Sequence, residues 1–117
     1  MGVSFYLICI YVSEWIQSVY GHYSPSKTFK SRLKKLKDPM GVISIARRIE
    51  RAENGNFGDT KSVGDFVNEM RIPTGPGYRL YYMQDGERVY FLLVGGDKAS
   101  QNKDIELAKR MAAELQK

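Results

Sequence analysis

Hydrophobic positions along the chain follow a helical period first and a strand period later. Phe29, Leu33 and Leu36 recur at four- and three-residue spacing after Ser24 and Ser26, either of which can cap a helix. Basic residues fill the positions between the apolar ones, so this pattern predicts an amphipathic helix with one apolar stripe.

A second helix is predicted to follow at once. Asp38 is a good N-cap and Pro39 suits the first helical position, while Asn54 and Gly55 provide a stop. The residues of its predicted buried stripe are Met40, Ile43, Ala46, Ile49 and Ala52. The two helices should therefore form a short hairpin whose apolar stripes face a common core.

The second half of the chain has the alternation of strands. Three antiparallel strands are predicted, over residues 66–72, 78–83 and 89–94. Turn signals lie at 73–77 (PTGPG) and at 85–86 (DG), and helical spacing returns over 104–115. With one further strand before Ser24, this order predicts an α+β fold: a helical hairpin packed on a small, three- to four-stranded antiparallel sheet, with a C-terminal helix.

The start of the chain does not fit that pattern. Residues 5–12 (FYLICIYV) form an unbroken apolar run of eight, which is too short to span a bilayer. No Lys or Arg precedes Lys27, so a secretory signal is not predicted. Residues 1–19 are interpreted as an extra apolar segment and residues 20–117 as one domain. The segment is either an additional element packed on the domain or the product of a mis-assigned translation start.

Composition limits the chemistry that the chain can perform. With 117 residues, of which 43% are hydrophobic, it has room for one compact domain and not for a multidomain enzyme. Cys9 is the single cysteine and His22 the single histidine, so neither an internal disulfide nor a zinc site is expected. We expect a cytoplasmic protein that needs no metal or cofactor and does not associate with a membrane.

Positive charge is concentrated in the predicted helical hairpin. The net charge is +5, and residues 27–51 contain nine Lys or Arg against two acidic residues. This concentration favours a polyanionic partner over a face that is merely solvated. The outward-facing basic residues are predicted to be Lys34, Lys35, Arg47, Arg48 and Arg51.

Four ordered blocks of sequence are similar to one known protein family. They are RIERAENGNFGDTKSVG (48–64), VNEMRI (67–72), GPGYRLYY (75–82) and GGDKASQNKDIELAK (95–109). These blocks resemble the RelE/ParE toxin superfamily, and specifically its HigB-like "addiction module killer" branch. The resemblance extends from about Tyr20 to the end, with Arg32 at a position where the family usually has Trp.

The resemblance implies a RelE-like fold and the toxin of a type II toxin–antitoxin pair. The usual activity of such toxins is metal-independent, ribosome-associated cleavage of mRNA. The implied partners are mRNA, the ribosome with its rRNA, and a cognate antitoxin, typically a helix-turn-helix DNA-binding protein. Carried over by position, the resemblance implies catalytic or phosphate-binding cations at Arg79 and Lys98 and a basic position at Lys61.

Strand alternation suggests two further catalytic candidates. Arg71 on one strand and Arg79 with Tyr81 on the next could place two guanidiniums and a phenol on the open side of the sheet. Guanidinium groups suit a phosphate that is attacked by its own 2′-hydroxyl. Structural roles stay open as alternatives: Arg71 could pair with Glu69 or Asp97, and Tyr81 could be a packing residue.

Two other functions remain compatible with the sequence. A ParE-like inhibitor of DNA gyrase would share the fold without needing a cation cluster. An inactive RNA-binding relic would keep the basic hairpin and lack the activity. In the ribonuclease interpretation the basic hairpin supplies sequence-independent phosphate contacts to rRNA, or accepts an acidic antitoxin segment.

Overall fold

The structure is a computed structural model that describes residues 23–117. The apolar segment predicted over residues 1–19 lies outside the described residues, as do the first three residues of the domain predicted to begin at 20.

The described chain forms three helices and five strands. In chain order these are β1 (Tyr23–Pro25), α1 (Lys27–Lys35), α2 (Pro39–Glu53), β2 (Thr60–Gly64), β3 (Val67–Ile72), β4 (Tyr78–Asp85), β5 (Arg88–Gly95) and α3 (Gln101–Leu115). The strands form one sheet in the order β1-β5-β4-β3-β2. The predicted α+β class, with two helices before the antiparallel strands and one after them, is confirmed. Strands β2 to β5 are antiparallel, and β1 adds a parallel edge to β5.

Strand β2 is the element that the hydrophobic pattern missed. Its residues are almost all exposed, and such a strand has no alternation of apolar and polar residues by which the sequence could reveal it. The turn from β2 to β3 places Asp65 and Phe66 in the left-handed region, at φ 52° and 68°. Phe66, predicted to start a strand, therefore lies in this turn, and β3 begins at Val67.

Helix α1 begins and packs as the sequence predicts. The Ser26 hydroxyl accepts a hydrogen bond from the Phe29 amide at 2.9 Å, which identifies Ser26 rather than Ser24 as the N-cap. The same hydroxyl donates to the Leu92 carbonyl at 2.6 Å and so ties the helix start to β5. Phe29 and Leu33 are buried against the sheet.

Helix α2 has the predicted cap but a different buried face. Asp38 is the N-cap and Pro39 the first helical residue, as predicted. Met40 and Ile43, predicted to be buried, are exposed, whereas Ile49 and Ala52 are buried as predicted. The apolar residues that form the observed buried face are Val42, Ile45, Ile49 and Ala52.

A close contact between Gly41 and Tyr78 explains why α2 buries a different face from the predicted one. A Cβ atom at Gly41 would lie 2.7 Å from Cε2 of Tyr78, so only glycine lets the helix approach the ring. The Tyr78 hydroxyl donates to Oδ2 of Asp38 at 2.6 Å and fixes the start of the helix over the ring. This hydrogen bond lowers the pKa of Asp38, while burial and the same bond raise the pKa of Tyr78 to about 12.

Replacing Tyr78 with Phe is expected to lower the Tm, most strongly near neutral pH. The lowered pKa of Asp38 contributes stability that is present above its ordinary value of 3.8 and is lost as the pH falls through the folded value. The raised pKa of Tyr78 contributes stability that is present below 10.0 and is lost as the pH rises towards about 12. Thermal unfolding of both proteins at about pH 3, 7 and 11 measures the difference, and an equal gap at all three would contradict this account.

The helices cover both faces of the sheet. Helices α1 and α2 pack on a core that includes Met70, Leu80, Tyr82 and Phe91. Helix α3 packs on the other face through a second cluster that includes Val67, Tyr81, Leu93, Ala108 and Ala112. The face under α3 also carries the polar side chains described next.

Candidate functional site

Four of the five predicted catalytic residues lie around one carboxylate. Lys61 on β2 pairs in register with Glu69 on β3, and Glu69 pairs with Tyr81 on β4. Arg71 on β3 pairs with Arg79 on β4. Each arginine is two residues away from Glu69 or Tyr81 on its own strand, so this second pair lies on the same face. Directly paired residues share a face of a sheet, so these five side chains meet on the side that α3 covers.

Glu69 is the centre of this cluster and is completely buried. Its Oε2 accepts hydrogen bonds from the Tyr81 hydroxyl at 3.0 Å and from Nε2 of Gln101 at 2.9 Å. Its Oε1 is buried and has no hydrogen-bond partner among residues 23–117. From the sequence, Glu69 is expected only as a possible partner of Arg71. The signal that could have identified it is an acidic residue in a predicted strand that has apolar residues on both faces.

Three cations surround the Glu69 carboxylate at the same distance. Lys61 Nζ, Arg71 Nε and Arg79 Nε each lie 3.9 Å from one of its oxygens. Arg71 Nε also lies 3.9 Å from Oδ2 of Asp59. The side chains of Lys61 and Arg71 are about half exposed, whereas that of Arg79 is only 19% exposed. Lys61 and Arg71 therefore present positive charge to solvent, and Arg79 adds its charge from beneath.

Tyr81 does not lie on an open face, and that prediction is wrong. The residue is completely buried, because α3 packs over this side of β4. Burial first, and then the hydrogen bond to Glu69, raises the pKa of Tyr81. Tyr81 is therefore a neutral donor that positions the Glu69 carboxylate and has no surface to offer a ligand.

Lys98 lies in the loop that leads from β5 to α3, and residues at the two ends of this loop meet the cluster. Gly95 at the end of β5 pairs with Arg79, and Gln101 at the start of α3 reaches Glu69. The loop between these two anchored positions carries Lys98, which is exposed. Within residues 23–117 its ammonium group forms no ion pair, so its charge is available at this end of the sheet.

Replacing Glu69 with Gln should lower the free energy of unfolding by about 3 kcal/mol, because the cluster keeps three cations and loses the carboxylate that offsets them. Glu106→Gln is the matched control, since Glu106 is exposed on α3 and its loss should change stability by less than about 0.5 kcal/mol. Urea unfolding of both variants measures the difference. Equal stability of the two variants would show that the carboxylate does not hold the cluster together.

The basic hairpin presents four of its five predicted residues to solvent. Lys34 and Lys35 on α1 and Arg47 and Arg51 on α2 are exposed. Arg48, predicted to face outward with them, is buried at 9% exposure, so that prediction is wrong.

Arg48 is buried because the chain after α2 folds back over it. Its guanidinium donates to the carbonyl of Arg71 and to those of Phe57, at 3.0 Å, and Asp59, at 3.5 Å. A Cβ atom at Gly58 would lie 2.7 Å from Nη2 of Arg48, so glycine is needed where the loop crosses the guanidinium. Burial lowers the pKa of Arg48. Arg48 thus ties α2 and the loop to the backbone of Arg71, one of the three cations around Glu69.

Replacing Arg48 with Met should reduce the free energy of unfolding by about 2–4 kcal/mol, because buried carbonyl groups lose their charged donor. The neighbouring Arg47→Met removes the same charge from an exposed position and should change stability by less than about 0.5 kcal/mol. Denaturant unfolding of the pair provides the comparison. Equal denaturation midpoints for the two variants would mean that Arg48 acts only as a surface charge.

None of the helices within residues 23–117 has the length and hydrophobicity of a membrane-spanning segment. In the same part of the chain no group of three or more His, Cys, Asp and Glu side chains is placed to hold a metal ion.

The fold and site define a small α+β protein with a cation cluster built around a buried carboxylate. No protein-family model matches the chain. A Haemophilus influenzae strain Rd protein, described as "Uncharacterized protein", is 49% identical over 88 residues, which cover 75% of this chain and 89% of the relative. The chain belongs to the same family as this H. influenzae protein.

Proposed function

We propose that this protein is a RelE-like toxin of a type II toxin–antitoxin module, and that it cleaves mRNA in association with the ribosome. The observation that carries the proposal is the convergence of Lys61, Arg71 and Arg79 on one sheet face, with Lys98 exposed in the loop after β5. Two helices before a largely antiparallel sheet, and one helix after it, are compatible with that superfamily. The resemblance of the sequence blocks supplies the reaction type.

The half-exposed cations suit the charge that develops during metal-independent RNA cleavage. In this reaction the 2′-oxygen bonds to the adjacent phosphorus and loses its proton to solvent, the bond from phosphorus to the 5′-oxygen breaks, and the 5′-oxygen leaves with a proton from solvent. Between these events negative charge builds on the oxygens of a five-coordinate phosphorus. Arg71 and Lys61 are exposed enough to contact those oxygens, and Arg71 can offer the planar fork of its guanidinium. Lys98 adds a mobile point charge from the adjoining loop.

Arg79, Tyr81 and Glu69 have supporting roles in this proposal. Arg79 is largely covered, and its Nε has no hydrogen-bond partner in the described part of the chain, so it contributes chiefly through its charge. Tyr81 and Glu69 are buried and position the cations without touching RNA. The catalysis proposed is therefore electrostatic stabilisation by prearranged cations.

The exposed basic hairpin fits the proposed partners of a cytoplasmic toxin. Lys34 and Lys35 on α1, with Arg47 and Arg51 on α2, offer sequence-independent contacts to rRNA phosphates. An acidic segment of the antitoxin would meet the same charges and would neutralise the toxin by covering them.

Inducible expression in a bacterial host, followed by sequencing of RNA 5′ ends, tests the proposal. Wild type should arrest growth and produce new mRNA ends that follow the codon frame. Arg71→Gln and Lys98→Gln should each reduce the new ends by about a hundredfold, because each removes a cation from the transition state. Arg88→Gln and Lys103→Gln are matched controls at exposed positions outside the cluster and should retain activity.

Other outcomes would replace the proposal. Arrest with intact mRNA and induction of the SOS response would indicate the gyrase-inhibitor function. Absence of arrest from folded, soluble wild type would indicate an inactive relic. Equal activity of the cluster variants and the controls would exclude the cation cluster as the catalytic site.

A further inference from the structure

A second cationic feature lies on the other side of the sheet, between α2 and the turn that follows β3. It is a surface depression of about 220 Å³. Ser44, Arg47 and Arg51 line it from α2, and Thr74 lines it from the turn. Ile72, which also lines it, belongs to the core under α1 and α2, whereas the Glu69 cluster lies under α3. The depression and the cluster are therefore separate sites.

None of the residues that line this depression carries a carboxylate to offset its positive charge. Arg47 and Arg51 are one helical turn apart, so their side chains are neighbours on α2. Neither forms an ion pair within residues 23–117. Buried Arg48 lies beside them, and its pKa is lowered by burial and then by the charge of Arg51. Asp59, the acid that acts on Arg48, has its ion pair with Arg71.

Two hydroxyl groups complete the lining of the depression. The hydroxyls of Ser44 and Thr74 make no hydrogen bond within the described part of the chain. Thr74 is held in place because its carbonyl accepts a hydrogen bond from the Gly77 amide at 3.0 Å. The depression thus combines two unpaired guanidiniums with two free hydroxyl donors, the groups that bind phosphate oxygens in proteins.

The geometry points to a binding site for a phosphate group at Arg47, Arg51, Ser44 and Thr74. The volume is below the roughly 300–1,000 Å³ of pockets that enclose whole small molecules, so the site accommodates the phosphate and leaves the rest of the ligand outside. The phosphate belongs either to a free phosphorylated molecule or to a nucleic-acid backbone. For Arg47 and Arg51 this inference rests on the proposed function, which gives both residues contacts to rRNA phosphates. Phosphate binding itself needs no ribonuclease activity, since none of the four residues belongs to the Glu69 cluster.

Titration of the full chain followed by ¹H–¹⁵N NMR tests the site. Inorganic phosphate, added at constant ionic strength, should shift the backbone amides of the four lining residues in a saturable way. The double variant Arg47→Gln with Arg51→Gln should raise the Kd for phosphate at least about tenfold, because both charged donors are lost. Arg88→Gln with Lys103→Gln is the matched control: it removes the same charge from exposed positions that do not line the depression and should leave the Kd within about twofold.

A parallel titration with a short single-stranded RNA identifies the source of the phosphate. Tighter saturable binding of RNA than of phosphate, lost in the same double variant, would assign the site to a nucleic-acid backbone. Tighter binding of free phosphate would assign it to a phosphorylated small molecule. Equal weakening by both double variants would show attraction to total charge alone and overturn the site, as would phosphate shifts that are absent or do not saturate.

Discussion

The buried carboxylate of Glu69 is the constraint on which the arrangement of the cation cluster depends. A carboxylate without solvent is costly unless it is paired and hydrogen-bonded. Tyr81 and Gln101 supply the hydrogen bonds, and the cations on β2, β3 and β4 supply the charge. Because Gln101 belongs to α3, the same contact that stabilises Glu69 also fixes the start of the helix that buries it. The three cations are consequently held at one place even though like charges repel.

Hydrogen bonds donated by two arginines tie the helices to one another and to the sheet. Arg48 of α2 donates to the carbonyl of Arg71, so this hydrogen bond joins α2 to the cation cluster. Arg32 of α1 donates to Asp104 of α3 at 2.9 Å and to the Val94 carbonyl at 3.1 Å. Arginine at position 32 is thus used for a contact between helices, beyond any contribution to a basic surface. These links set the positions of the charged groups around an otherwise apolar core.

These contacts leave positive charge on both faces of the sheet, at the end where β3 finishes. Arg71 ends up on the α3 side, while the next residues along the chain, Ile72 and Pro73, lead to the depression beside Arg47 and Arg51. A polyanion that crosses this end would meet guanidinium groups on either side. Such an arrangement supports the proposed action on RNA.

Elements with local signals can be located from the amino-acid sequence alone. Ser26, Asp38 and Pro39 mark helix starts because capping and proline geometry act within one turn, and the apolar run of β5 identifies a central strand. Which side chains those elements bury depends on contacts between distant parts of the fold. Tyr81 is covered because α3 crosses its face, and Arg48 is covered because the following loop returns over α2. The hydrophobic periodicity of the sequence indicates neither event. Burial by a distant segment depends on strand register and helix packing, which are set by contacts between residues far apart in the chain.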